Sequence, residues 1–239
     1  MLVGIDVGTT AVKAALLDET GTSLRQHVAP YGTNRPHPGH VEQNPADWMK
    51  HVLASLAAFD GASIAGVGLC SQVNTHVFVD AQGQALLPAM TWQDVRCASV
   101  ASELDGRVSI ADKITWWGAP LPIDASHVLA RMLYAQRHHP EEWKNTRWVM
   151  APKDYCIFHL TGKVTADPMT CFGLVDQNLQ PIAALIDLVV GAEERLPPIL
   201  RFHNIGGPHP DGPALRRAHG CGGHGCLVRP VWCRRECRG

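Results

Sequence analysis

Asp6, Gly8, Thr9, Thr10 and Lys13 lie close together in the string Gly4-Ile5-Asp6-Val7-Gly8-Thr9-Thr10-Ala11-Val12-Lys13. Their side chains suit the handling of a metal-bound phosphate. A carboxylate at a strand end can hold Mg2+ directly or through water. Glycine lets the backbone turn sharply and approach a phosphate closely. The two threonines offer hydroxyl and N–H donors to an anion, and Lys13 adds positive charge. The same residue types also suit an ordinary hairpin whose Asp and Thr side chains bond their own backbone. Spacing alone leaves both readings open.

Such a cluster needs a rigid frame. Residues 2–6 are a short apolar run and residues 11–17 alternate, which predicts two strands joined by a turn at 7–10. Asp18-Glu19-Thr20-Gly21 has the composition of a hairpin turn, leading into a third strand over 23–29. Asn44-Pro45 has N-cap and first-turn chemistry, and Trp48, Val52, Leu53 and Leu56 give the helix that follows an apolar stripe. Further strands are expected at 64–70, 76–79 and 148–150. Helices are expected at 93–104, 125–136, from about 151 to 160, and at 181–190. A meander followed by alternating helix and strand predicts an α/β fold, a mixed sheet of antiparallel and parallel strands with flanking helices.

The chain has 239 residues, 46% hydrophobic and 18% charged, with a formal net charge of −1. That balance points to neither nucleic acid nor an anionic membrane as partner, and no stretch has the apolar length of a membrane span. The start of the chain lacks a targeting pattern, and Cys70, Cys97, Cys156 and Cys171 fall at no metal-ligand spacing. A cytoplasmic protein is expected. Residues 1–199 carry 14 Lys+Arg against 20 Asp+Glu, a net of −6, whereas residues 200–239 carry 7 against 2, a net of +5. The chain divides by composition at that point.

With its flanking strands, the Asp6–Lys13 string resembles the first phosphate loop of the actin, hexokinase and heat-shock-ATPase superfamily, and most closely that of the FGGY carbohydrate kinases. Four more segments resemble that family in order: His37-Pro38-Gly39-His40-Val41-Glu42-Gln43-Asn44-Pro45 with Trp48; Gly68-Leu69-Cys70-Ser71-Gln72-Val73-Asn74-Thr75; Trp92-Gln93-Asp94-Val95-Arg96; and Pro152-Lys153-Asp154-Tyr155 with Leu160-Thr161-Gly162 and Asp167. The resemblance covers residues 1–199. It implies a ribonuclease H-like, actin-like ATPase fold for an N-terminal, sugar-binding domain. It also implies transfer of the ATP γ-phosphate to a hydroxyl of a sugar or polyol, a pentulose such as xylulose being favoured. ATP and Mg2+ are then the cofactors, with Asp6 the metal residue acting through the nucleotide, and the intact family allows a homodimer.

By the same resemblance Gln72 and Asn74 sit at a strand end facing the sugar. Xylulose kinases usually have Met-His where this chain has Val73-Asn74, and glycerol kinases have Arg-Glu. Asn74 can hydrogen-bond a hydroxyl in either sense, or it can cap the strand. Asp94 is expected to bind substrate or to form a structural ion pair with Arg96. Trp116 and Trp117 lie where family members line the sugar pocket, although paired tryptophans also suit a core. Lys153, Asp154 and Tyr155 read as helix-start and packing residues.

Phosphoryl transfer needs a base for the attacking hydroxyl. The family takes it from an Asp in a Gly-x-x-Asp stretch near the end of the first domain. Residues 200–239 hold no matching stretch; their carboxylates are Asp211 and Glu236. Cys221, Cys226, Cys233 and Cys237 with His219 and His224 do not follow a recognised zinc-knuckle spacing. Codons exist for His224 through Trp232 that, read one base later, give Met-Asp-Ala-Trp-Ser-Gly-Leu-Phe, a string of the kind expected around the family's catalytic Asp. The expectation is a reading-frame change near Ile199 and Leu200 that leaves residues 200–239 as an aberrant, disordered tail. The chain alone is then expected to be inactive, or to be a non-catalytic sugar-binding or regulatory remnant.

Overall fold

The computed structural model describes residues 1–200 and the backbone of one further strand, Cys226–Val228. The chain opens with three antiparallel strands, β1 (Leu2–Val7), β2 (Ala11–Leu17) and β3 (Ser23–Pro30). Asp18 closes the β2–β3 hairpin by accepting the N–H groups of Thr20 and Thr22 on Oδ1, at 2.8 and 2.9 Å. Short β4 (Glu42–Gln43) precedes helix α1 (Pro45–Ala57), whose first turn is capped by the Asn44 carboxamide oxygen. The chain then returns as β5 (Gly66–Ser71), parallel to β1.

Beyond lie β6 (Val77–Val79), β7 (Ala89–Met90), α2 (Ala98–Gly106), α3 (Ile110–Trp117), α4 (Val128–His138), α5 (Pro140–Asn145), β8 (Trp148–Met150), α6 (Pro152–Thr161) and α7 (Ala183–Ile186). With β9 (Cys226–Val228) the main sheet has the order β3-β2-β1-β5-β9, and β9 runs antiparallel to β5. The expected mixed α/β architecture is present. The expectation of a disordered tail over 200–239 falls outside the described residues, except for Leu200, whose N–H bonds Ala166 O, and for β9.

Strand alternation divides the main sheet into two unlike faces. Val3, Ile5, Val7, Val12, Ala14, Leu16, Val67 and Leu69 point to one side and are buried there against Trp48 and Val52 of α1 and Cys156 and Ile157 of α6. A second core joins Val100 and Leu104 of α2 to Leu129 and Met132 of α4, Trp143 of α5, and Leu174, Leu185 and Val189. The opposite face of the sheet is open among the described residues. It forms a groove of about 430 Å³ whose floor includes Gly4, Ala15 and Gly68, with Asp6, Lys13 and Val28 along it. Among the described residues no heavy atom lies within 4 Å of where a Cβ would stand on Gly4 or Gly68.

Several boundaries differ from the sequence expectation. Leu53 faces solvent on α1, whereas Trp48 and Val52 are buried. The helix expected from residue 93 starts only at Ala98, because the Asp94 carboxylate binds the Arg96 N–H and so favours a turn over a helix. The helix expected over 181–190 contracts to α7. Around it, N–H groups reach carbonyls three residues back, as in Leu185 to Ile182 and Val189 to Ile186, which winds the segment into tight turns. Helices α3 and α5 were not expected. Both carry end signals: Ser109 caps α3 by accepting the Asp112 N–H, and Pro140 with Glu141 and Glu142 opens α5.

Candidate functional site

The β1–β2 turn is held rigidly from several sides. Asp6 is the penultimate residue of β1, lies opposite Lys13 in register, and accepts the Cys70 thiol on Oδ1 at 3.6 Å. Residues directly opposed on antiparallel strands share a face, so Asp6, Lys13 and Cys70 line the open side of the sheet together. Burial, followed by the Asp6 charge, pushes the Cys70 thiol up to about 11. Gly8 donates to Ala11 O at 3.1 Å, and its own carbonyl accepts the Tyr31 hydroxyl. A Cβ on Gly8 would stand 3.2 Å from Ala11 O and 3.5 Å from Asp6 Oδ2, which favours glycine there. Thr10 is exposed, with its carbonyl taken by the Tyr31 N–H.

Two side chains fasten this turn to the end of β5. Gln43 donates from Nε2 to Thr9 O at 2.7 Å and to Thr33 Oγ1 at 3.1 Å. On Oε1 it accepts Gln72 Nε2 at 2.8 Å and Trp48 Nε1 at 3.1 Å. Trp92 donates from its indole to Thr9 Oγ1 and from its backbone to Thr75 Oγ1, both at 3.1 Å. The residue is nevertheless 48% exposed beside the turn. Thr9, Gln72, Thr75 and Trp92 thus belong to one hydrogen-bonded unit. Within it the buried Gln72 Oε1 has no partner among the described residues.

Asn74 follows in the left-handed region, at φ 52°, which an Asn tolerates better than most residues. Its carbonyl accepts the guanidinium of Arg131 at 2.7 Å. Arg131, fully buried on α4, also donates to Met90 O at 2.6 Å and Thr91 O at 2.5 Å and contacts His76 Nδ1 at 2.9 Å. Burial pulls the guanidinium down to about 10, which leaves it charged at neutral pH. One cation therefore ties the Asn74 loop to the segment that carries Trp92.

Asp94 forms the ion pair with Arg96 that is one of its two expected arrangements. Its carboxylate accepts the N–H of Val41 at 2.7 Å and of Arg96 at 3.0 Å, and it is paired with the Arg96 guanidinium, which also reaches Glu42 at 2.7 Å. Burial works to raise the Asp94 carboxyl, but the bonds from Arg96 and the Val41 N–H hold it below the ordinary value. With both oxygens occupied, Asp94 braces the loop before β4 against the turn after Trp92.

Lys153 and Asp154 are buried at the start of α6. Lys153 is paired with Asp154 and, at 2.8 Å, with Asp167, and its backbone N–H reaches Ser71 Oγ at 3.2 Å. Burial opposes its charge, yet the two carboxylates hold it above the ordinary lysine value. Burial pushes Asp154 up to about 6. Asp167, despite its own burial, is held low by Lys153. Trp116 and Trp117 pack against the second core.

Among the described residues no group of three or more His, Cys, Asp or Glu could hold a metal ion by itself. A single carboxylate such as Asp6 fits Mg2+ carried by phosphates, which keeps most of its water or phosphate oxygens. Sequence reasoning passed over Tyr31, Gln43, Trp92 and Arg131 as working side chains. Arg131 left a signal, a lone arginine within Val128-Leu129-Ala130-Arg131-Met132-Leu133.

The model of the FGGY family of carbohydrate kinases, N-terminal domain, matches residues 1–173. The chain is 33% identical over 171 residues to the xylulose kinase of Klebsiella pneumoniae, covering 70% of this chain and 35% of that protein. Against the xylulose kinase of Escherichia coli (strain K12) it is 32% identical over 171 residues, covering 70% and 34%. The crystal structure of xylulose kinase from Rhodospirillum rubrum shares the fold with a TM-score of 0.76 at 24% identity, over 83% of this chain and 42% of that one. The chain thus spans about a third of the length of the curated relatives it matches. A phosphate-type turn fastened to the end of a parallel strand, in a sheet of this order, agrees with that match: the chain belongs to the FGGY family of carbohydrate kinases.

Proposed function

We propose that the chain is the sugar-binding half of an ATP-dependent carbohydrate kinase, and that its acceptor is a pentulose such as xylulose. The observation that carries the proposal is the hydrogen-bonded unit that joins Thr9 in the turn to Gln72, Thr75 and Trp92. It brings a phosphate-type turn within reach of a wall of hydroxyl-binding side chains. Gln72 Oε1 is a buried acceptor with no donor among the described residues, and a sugar hydroxyl would satisfy it. Trp92 is an exposed aromatic residue of the kind that packs against a sugar. The xylulose kinases among the relatives favour the pentulose.

In this reading Asp6 holds the Mg2+ of the nucleotide. Gly8 and Thr9, with Thr10 and Lys13, meet its phosphates, and Gln72 with Asn74 meets the sugar. ATP bound with Mg2+ supplies the transferable phosphoryl group. Asp94 belongs to the support of the site, with Arg96 and Glu42. The chain by itself does not turn over, because no Gly-x-x-Asp stretch of the family's kind stands in residues 200–239 to supply the base. A change of reading frame near residue 199 accounts for that lack, and for the switch in charge there.

Calorimetry with D-xylulose, glycerol and Mg-ATP, beside a coupled kinase assay, tests the proposal. D-xylulose binding that is lost in Asn74→Ala, Mg-ATP binding that is lost in Asp6→Ala, and no turnover are expected. Turnover at ordinary kinase rates would overturn the inactivity. Failure of every pentulose to bind the wild-type chain would overturn the sugar site.

A further inference from the structure

We infer that Asp124 and Ser126 decide which way round Asn74 presents its side-chain amide, so that its carboxamide oxygen, and not its NH2 group, is offered to the ligand. The inference rests on the proposed sugar site and concerns the polarity with which that site reads a hydroxyl. The argument runs along three side chains. Asp124 Oδ1 accepts the Ser126 hydroxyl at 2.7 Å and the Ser126 N–H at 2.8 Å. An ionised carboxylate has no proton to give, so the hydroxyl proton must point at Asp124. The Ser126 oxygen is then left only with lone pairs toward its other neighbour, and it accepts from Asn74 Nδ2 at 3.1 Å. Asn74 must therefore turn its NH2 group toward Ser126. No described group donates to Asn74 Oδ1 in return, and Asn74 is only partly buried.

The backbone of Asn74 is fixed independently. Arg131 holds its carbonyl at 2.7 Å, and its φ of 52° is maintained against the cost that non-glycine residues carry in that region. Main chain and amide plane are thus both set before any ligand arrives. An acceptor fixed in this way selects a ligand hydroxyl that donates at that point. It disfavours a carbonyl or ether oxygen there, which would face a second acceptor. Ser126 and Asp124 act through Asn74 and are positioning residues.

The test uses the full 239-residue chain, selectively labelled with 15N-asparagine, with D-xylulose as the probe. The Asn74 side-chain NH2 signal is assigned by its loss in Asn74→Asp. It is expected to move in Ser126→Ala, which removes the acceptor of the NH2 group, and in Asp124→Ala, which removes the acceptor of the Ser126 hydroxyl and frees it to reverse. It should stay in place in Ser126→Thr, which keeps the oxygen. Affinity for D-xylulose is expected to fall about tenfold in Ser126→Ala, one lost hydrogen-bond orientation, and to return in Ser126→Thr. An Asn74 signal unchanged in both Ser126→Ala and Asp124→Ala overturns the inference, whether or not sugar binds. Asp124 is exposed, so its variant keeps the test open should Ser126→Ala fail to fold. Equal affinity of wild type and Ser126→Ala also overturns it. If the wild type binds no D-xylulose, the substrate reading fails while the amide signal still decides the orientation.

Discussion

Replacing Lys153 by methionine should destabilise the fold far more than its single charge suggests. Lys153 is 2% exposed, and its ammonium is shared by two carboxylates that are themselves buried. Methionine keeps the length of the stem and removes the cation, leaving Asp154 and Asp167 facing each other without a counter-charge. Breaking a buried ion pair from one side costs about 3–5 kcal/mol, a large part of the roughly 5–15 kcal/mol that holds a domain together. For a chain of this size the thermal midpoint should fall by roughly 6–20 °C. Asp154 already sits high, at about 6, and loss of the lysine raises it further. A carboxyl raised on folding contributes stability that is complete below its unfolded value and is lost as pH climbs through the folded one. The variant should therefore weaken progressively as pH rises from about 4, the unfolded carboxyl value, through the raised folded value. Urea unfolding followed by circular dichroism measures the loss, an unchanged m-value showing that the transition itself is the same. The triple variant Lys153→Met, Asp154→Leu, Asp167→Asn should recover most of it, because a whole buried ionic cluster is often replaceable by apolar groups. A single variant that loses less than about 1 kcal/mol, or a triple variant no better than the single one, would refute the reasoning.

Two further outcomes follow from groups at helix starts. Asn44→Ala removes the side-chain oxygen that accepts the Ala46 N–H and should cost about 1 kcal/mol in urea unfolding. His127 accepts the Leu129 N–H on Nδ1, and burial pulls its imidazole down to about 4. A histidine depressed on folding contributes stability that is complete above its unfolded value and is lost as pH falls through the folded one. Between about pH 7.5 and 5 this group alone should remove about 2 kcal/mol, and His127→Phe should flatten the pH dependence by that amount.

The strands of the meander and the start of α1 were legible because local chemistry decides them: alternation in residues 11–17, the Asp18 turn, and Asn44 before Pro45. The Asp6–Lys13 turn could be located for the same reason. The way its parts are joined could not be read in advance. Gln43 touches Thr9 and Gln72, and Trp92 touches Thr9 and Thr75, across sequence gaps that no spacing rule describes. Asp94 could be listed with its two readings, but its contact with the Val41 N–H, 53 residues away in sequence, could not. Residues 93–97 and the ends of 181–190 misled as helix because local hydrogen bonds, such as Asp94 to the Arg96 N–H, bend the backbone into turns that sequence spacing does not reveal.

The side of the main sheet that is open among the described residues has a consequence for the chain in solution. Leu2, Leu24 and Val28 are all substantially exposed at its borders, and the glycine floor gives an incoming segment room to settle close to the backbone. Crowded in a tube, two molecules would gain by meeting through these surfaces, so concentrated samples should pair or precipitate more readily than the near-neutral charge alone would cause. Any segment from beyond residue 200 that lay along this face would remove that incentive, and with it the need for dilute handling.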